Sequence, residues 1–473
     1  MKKYLALTLL LIVTSMNTNA KVETFERKPG LLAEVDGWAI PNKSLALYLN
    51  YQSAQDESLT KDTLLYNLII NRLLSLYALA EVAQEDLNDD SKVGYTSETA
   101  LRDLFTALIR FNFNDEISKA IKATSKHSLS SYISSPFSLT KAQLKQVVTS
   151  KKSSLILVYR LNEAQKKSAM NTPLLKFQFP GEPERAISLL DIYQSGNIQE
   201  KIAIHNLDVD KVKDLIQRYM TSLYAHYWLR EMSGLSALEI KALQDFISQN
   251  RIVGQYYRHA GFKAGIHDDN PRLKQVAQDV SLEEIKPFYM ANKEAFKTVL
   301  KIRARHITLD SQSLADDVHA KLSKGMSFLK AVQAYSVADD KQKKIPGDLG
   351  WIERSGKKSW LLSLPFTQEK GQFSSAFMSP RSGSKKHTWE IVYVDDKEEG
   401  YYPADSETVR YQASRKIAEQ KIYRHIMSLR STLIKQASIH VPKGLLTLFD
   451  SKKDKLVDID LFHQAHEHDH EDD

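Results

Sequence analysis

The chain of 473 residues contains no cysteine. That excludes a disulfide framework and thiol catalysis, and leaves no acceptor for N-terminal lipidation. After residue 20, no run reads as long and apolar enough to span a bilayer, which takes roughly 20 residues. No phosphate-binding loop, dinucleotide fingerprint, HExxH pair, Ser-His-Asp set or fixed-period repeat is present. Cofactor-driven and nucleophilic chemistries therefore have no sequence support, and the fold must rest on ordinary apolar burial. Hydrophobic residues make up 42% of the chain, enough core for two to four domains at roughly 150 residues each. The net charge is +7, but the basic residues are scattered rather than gathered into a stripe. This argues against nucleic acid and favours peripheral contact with anionic lipid headgroups or acidic clients.

The N-terminus supplies the compartment. Lys2 and Lys3 precede an apolar run at 4–13, a mostly polar stretch comes next, and Thr18-Asn19-Ala20 carries small or polar residues before a cut after Ala20. This reads as a secretory signal peptide over residues 1–20, too short for an anchor, and implies a periplasmic protein.

Between residues 21 and 295 helical periodicity dominates. Residues 31–40 (LLAEVDGWAI) read as strand, Asp36-Gly37 turn, strand, with Asn42 as cap of the next helix. Leu65, Leu68, Ile69, Leu73, Leu76, Tyr77 and Ala80 recur at three- and four-residue steps and predict a buried central helix. Residues 96–125, 212–229 and 237–257 are helical by the same test, and 154–161 reads as a strand. The aromatics of 219–228 are expected in core. Pro173, Pro180 and Pro183 weaken the pattern between 168 and 206. Ser281 and Glu284 form a capping box opening a helix that contains Pro287.

From residue 296 the character changes. Residues 300–309 (LKIRARHITL) alternate as a strand carrying His306, and 313–323 is a helix closed by Gly325. Phe328 opens a second helix ending in Tyr335-Ser336. Pro346-Gly347-Asp348-Leu349-Gly350-Trp351 comes next, then Gly371-Gln372-Phe373-Ser374, and a last strand over 389–394. This ordered succession resembles the parvulin family of peptidyl-prolyl isomerases. The 31–85 region and 281–299 are similar to SurA- and PrsA-type foldases, in which a helical chaperone body surrounds the isomerase.

The resemblance implies a set of site residues. His306 matches the family's first histidine and Leu349 its pocket leucine. The carboxylate after Tyr335-Ser336 falls on Ala338, and Asp339 supplies it if the extra residue before Gly347 lies there. Ungapped counting places Lys357 at the pocket methionine and Leu361 at the phenylalanine, beside Trp360, with Phe366 as a further lining residue. The second histidine becomes Glu390, with His387 three residues earlier. A buried ammonium without a partner is costly, so Lys357 is expected to snorkel outward and leave the slot shallower. Rotation about a prolyl amide crosses roughly 18–20 kcal/mol without making a bond, so the resemblance implies no cofactor.

The tail is different again. His463, His466, His468 and His470 alternate with Glu467, Asp469 and Glu471, a density at which imidazoles bind Zn, Ni or Cu without a fold. The blander alternative is a solvated acidic tail.

Together these expectations describe an α+β protein: a mostly helical, chaperone-like body with a C-terminal parvulin-like domain, a small antiparallel sheet flanked by helices. The divisions run 1–20 signal peptide, 21–170 and 171–299 helical regions, 300–396 parvulin-like domain, 397–450 C-terminal helix and 451–473 tail. Three functions stay open. One is a periplasmic foldase that binds unfolded or proline-containing envelope proteins and isomerises Xaa-Pro bonds. The second is a chaperone or assembly factor that uses the same domain only for docking. The third is a metal-handling protein working through its tail. The intact His306, Leu349 and 347–351 run favour the first; Lys357, Leu361 and Glu390 favour the second.

Overall fold

The computed structural model describes residues 22–24, 30–87, 96–149, 160–262, 270–354, 359–380 and 386–449. The signal peptide, most of the 154–161 strand, Lys357 and the four tail histidines lie outside the described residues. Among the described residues the fold is α+β and mostly helical, with three small sheets whose pairings are antiparallel except for one parallel pair. It divides into two compact units, residues 1–270 with 422–473, and residues 271–421.

The first unit is built on long helices. Lys61–Glu81 starts at Thr60, whose side chain accepts from the Thr63 amide, and buries Leu64, Leu65, Leu68, Ile69, Leu73, Leu74 and Ala78. Ala237–His259 packs along it, its own start closed by a reciprocal Ser236–Glu239 capping box. By length and a mean hydropathy of 1.3, Lys61–Glu81 is apolar enough to cross a membrane, with 56% of the qualifying window buried inside the protein. This corrects the expectation that no such segment lies beyond residue 20. Asn67, Asn71 and Arg72 interrupt the run to the eye without lowering its mean far. Ser97–Lys122 and Val209–Glu231 form a second packed pair. On the latter, Tyr224, Tyr227 and Trp228 are buried as expected.

The N-terminal hairpin forms as read, strands Leu31–Val35 and Trp38–Pro41, with Asp36 at φ 47° and Gly37 at φ 77°. Positive φ at both turn positions is what a type I′ hairpin requires. Asn42 is the first helical residue rather than the cap, and its Oδ1 accepts from Lys61 Nζ at 3.2 Å. Ile439–Val441 inserts between the hairpin and Val22–Thr24, which the sequence did not foreshadow.

The second unit centres on a four-stranded antiparallel sheet. Its strands are β1 (Lys297–Leu309), β2 (Asp348–Glu353), β3 (Phe377–Met378) and β4 (Trp389–Tyr401), in the order β2-β1-β4-β3. Because side chains alternate along a strand, β1 serves two cores. Ile307 and Leu309 pack with Ile391 against the helices Gln312–Ser323 and Phe328–Tyr335, through Val318, Leu322, Phe328 and Val332. Ile302 and Ala304 point the other way, onto Ile352 and Val394. The expected capping box before Pro287 is present, with the Glu284 amide donating to Ser281 Oγ at 3.3 Å.

Candidate functional site

His306 and Thr308 continue the row of Ile302 and Ala304 on the same side of β1. In the β1–β4 ladder, Glu390 pairs with Thr308 and Val392 with His306. The Glu390 carboxylate is thus diagonal to the imidazole, within side-chain reach. His306 Nδ1 bonds Glu390 Oε2 at 2.8 Å, and Nε2 bonds Asp340 Oδ2 at 2.7 Å. Thr308 Oγ1 donates to both Glu390 oxygens, at 2.9 and 3.1 Å. His306 and Glu390 are each only 5% exposed.

The sequence places Asp339 in this cluster; the structure places Asp340 there, and Asp339 is exposed. The cause is local. Ser336 Oγ accepts from the amides of Thr308 and Ala338, and the Val337 amide donates to the Thr308 carbonyl at 2.8 Å, which ties the chain to the end of β1. A 3-10 turn, Asp339–Gln342, then brings its second residue inward. Asp340 Oδ1 is buried and makes no hydrogen bond, so that carboxylate's polar contact is concentrated on His306.

A glycine completes the arrangement. Gly347 has φ +71°, and a Cβ there would lie 2.4 Å from the His306 carbonyl oxygen and 3.2 Å from both Val332 methyls. The His306 amide donates to the Gly347 carbonyl at 2.9 Å, and the Gly347 amide to the Asp340 carbonyl at 3.3 Å. Only a residue without a side chain fits.

Two effects compete over the charge on His306. Burial alone would push its pKa down; the Glu390 hydrogen bond and charge, followed by those of Asp340, outweigh burial and hold the ring above the ordinary imidazole range. Both nitrogens face carboxylate oxygens, the pattern of an imidazolium with two donors. Both ring nitrogens are taken up by carboxylates, and the Thr308 hydroxyl beside the ring bonds Glu390, so the arrangement lends general-base or acyl-transfer chemistry no support.

Beside this polar cluster lies an apolar one. Leu349, Leu362 and Phe366 are partly buried against Ile302, Ala304, Ile352 and Val394. The Arg354 guanidinium sits 5.1 Å from the centre of the Phe366 ring. Leu349 and Phe366, both expected to line the slot, pack in this cluster. Leu362 packs there too, whereas Leu361 and Trp360, also expected in the slot, are half-buried outside the cluster. His387 does not join His306: its Nδ1 bonds the Ser379 carbonyl at 2.8 Å, in the connection between β3 and β4. Sequence reasoning missed Asp340, Thr308 and Leu362, and took Gly347 only as part of the 347–351 run. Of the three missed, Thr308 had a usable signal, two residues beyond His306 on an alternating strand. Among the described residues no group of three or more His, Asp or Glu side chains is placed to hold a metal ion.

No protein-family model matches the chain. Two curated relatives are foldase proteins PrsA: one from Geobacillus sp. (strain WCH70), 29% identical over 132 residues, and one from Caldanaerobacter subterraneus subsp. tengcongensis, 36% identical over 80 residues. These matches span 28% and 16% of this chain and 45% and 25% of the relatives, so the chain spans less than half the length of the curated relatives it matches. Among solved structures, one from work on the SurA-like chaperones PEB4 and Cj1289 of Campylobacter jejuni is 18% identical. It covers 48% of this chain and 84% of that chain, with a TM-score of 0.19. PrsA from Bacillus anthracis is 17% identical, covering 48% and 85%, with a TM-score of 0.20.

Proposed function

We propose that this chain, which is of the parvulin foldase type, is an extracytoplasmic folding chaperone. On this reading the helical unit holds unfolded envelope polypeptides while the 297–401 sheet receives their Xaa-Pro segments and isomerises them without covalent chemistry. One observation carries the reading: the fixed His306 cluster and the Leu349, Leu362 and Phe366 surface belong to one side of β1. Rotation of a prolyl amide must cross roughly 18–20 kcal/mol, and it needs no proton transfer. An apolar surface takes the pyrrolidine ring and keeps water from the amide, which favours the twisted state over the planar one. His306 then acts as a positioning residue, since both of its donors are spent on the protein.

A second reading has its own observation. Because the imidazolium is closed off by Glu390 and Asp340, the domain can dock proline segments with no turnover at all. A protease-coupled assay on a proline-containing peptide separates the two. Turnover above background that falls with Phe366→Ala supports isomerisation. A background rate, together with suppressed aggregation of an unfolded client, supports docking alone and removes the enzyme. Binding of Zn, Ni or Cu by the tail is proposed separately and shares no residue with this site.

A further inference from the structure

The helical unit contains a cleft of about 320 Å³ lined by Ser97–Lys122, by Val209–Glu231 and by Ser195 at the end of Leu189–Ser195. That volume accommodates one or two side chains of a ligand rather than a folded surface. Three arginines line it, Arg102, Arg110 and Arg218, against one acidic lining residue, Asp103. Two of them are held in place. Arg218 makes a two-point contact with the buried Glu200 at 2.7 and 3.0 Å, and Arg102 bonds Asp103 at 3.1 Å while lying 4.6 Å from the centre of the Tyr219 ring. Arg110 is exposed, and its guanidinium bonds a neutral partner, Asn114 Oδ1, at 3.5 Å.

Thr106 and Ser222 add neutral hydroxyls to the lining: Thr106 Oγ1 meets Ser222 Oγ at 2.7 Å and also His226 Nε2, outside the lining, at 2.9 Å. Burial, helped by the charge of Arg102, pushes His226 down to about 4, so it is neutral at physiological pH. Leu104, Ala107 and Phe111 recur at helical spacing on Ser97–Lys122; Ala107 belongs to the cleft wall, Leu104 is 42% exposed, and Phe111, 48% exposed, packs edge-on against Tyr51 at 5.7 Å. Guanidinium groups that are pre-positioned around a small hollow select a carboxylate. A free inorganic anion would make no use of the adjoining leucine and phenylalanine.

We propose that this cleft is a docking site for acidic segments of client polypeptides. An Asp or Glu carboxylate enters between the arginines, and a neighbouring apolar side chain lies on Leu104 and Phe111. The inference rests on the client-holding reading and gives it a chemical selectivity. The probe is an unstructured peptide containing Asp-Phe-Glu-Leu, compared with its Asn-Phe-Gln-Leu counterpart, titrated into the full chain by fluorescence anisotropy. The acidic peptide is expected to bind roughly tenfold more tightly at low salt, with the advantage shrinking as salt is added. Arg110→Glu should abolish the advantage, and circular dichroism should show the helices unchanged, because Arg110 is exposed. Equal binding of the two peptides, or an advantage that survives Arg110→Glu, overturns the proposal. So does inorganic phosphate binding as tightly as the peptide, which would make the cleft a small-anion site. Aggregation of an unfolded test protein, measured alongside, keeps the two ideas apart. Wild-type protein that suppresses aggregation yet shows no peptide preference sinks the cleft alone. Protein that suppresses nothing sinks the chaperone reading, and the peptide comparison still decides the cleft.

Discussion

Replacing Glu390 with Gln removes one of the two charges that hold the His306 imidazolium while leaving an oxygen where Oε2 stood. Breaking a buried ion pair outright costs about 3–5 kcal/mol, and a hydrogen bond to a charged group contributes about 1.5–3 kcal/mol. Here the amide can still accept from Nδ1, and Asp340 still faces Nε2 at 2.7 Å. The expected loss is therefore the smaller figure, about 1.5–3 kcal/mol. Its pH dependence identifies the cause. The folded pKa of His306 lies above the ordinary 6.5 of an unfolded imidazole. The stabilisation from its charge is complete below that value and is lost as pH rises through the folded pKa. The gap between wild type and Glu390→Gln should accordingly be widest below the unfolded imidazole pKa and shrink as pH rises through the raised folded pKa of His306. Urea unfolding followed by tryptophan fluorescence reads this unit through Trp351, Trp360 and Trp389, with Trp38 and Trp228 reporting on the other unit. Histidine-selective NMR titration of the full chain gives the ionisation directly. A wild-type His306 that titrates at or below about 6.5, or a stability gap flat across the pH range, would refute the reasoning.

Gly347→Ala should cost about 2–4 kcal/mol, from a side chain forced to φ +71° and a Cβ 2.4 Å from the His306 carbonyl; unchanged urea unfolding would show that this turn relaxes freely. Asp340→Asn should lower both the His306 pKa and stability, whereas Asp339→Asn should leave both alone, and the reverse result would restore the residue that ungapped counting selects. A chain ending at Leu461 should lose calorimetric binding of zinc or nickel, because His463, His466, His468 and His470 are then absent. An unaltered isotherm would take the tail out of any metal role.

The legible part of the site lies on regular elements. His306, Glu390 and Leu349 can be found because strands β1, β2 and β4 carry their own alternation and recognisable neighbours. The carboxylate is missed by one position because a 3-10 turn has no period to count against, and the deciding contacts are the Ser336 and Gly347 bonds that set where Asp340 points. Counting through 355–358 selects Leu361 over Leu362, since nothing in the sequence fixes the length of that connection. The N-terminal hairpin is readable from Asp36-Gly37, but its pairing with Ile439–Val441 is not. The Asp36 amide reaches the Ser438 carbonyl at 2.9 Å across some 400 residues of chain, and no local pattern encodes a partner so remote.

The occupied imidazole narrows what any activity here can depend on. A histidine with one free nitrogen could donate to the prolyl nitrogen as the amide twists, and losing it would remove chemistry. In this chain both donors end on Asp340 and Glu390, while the His306 backbone bonds Gly347. Removing the side chain therefore strips Glu390 and Asp340 of their buried partner and loosens the 339–342 turn, while the backbone bonds to Gly347 remain. Discrimination between turnover and docking falls instead on the apolar side, where Leu349, Leu362 and Phe366 are only partly buried and can be truncated at a smaller cost to folding. If those three residues set the rate while His306 sets the stability, the domain is an isomerase that works by apolar grip alone. If they set affinity without rate, the domain is a clasp for proline segments.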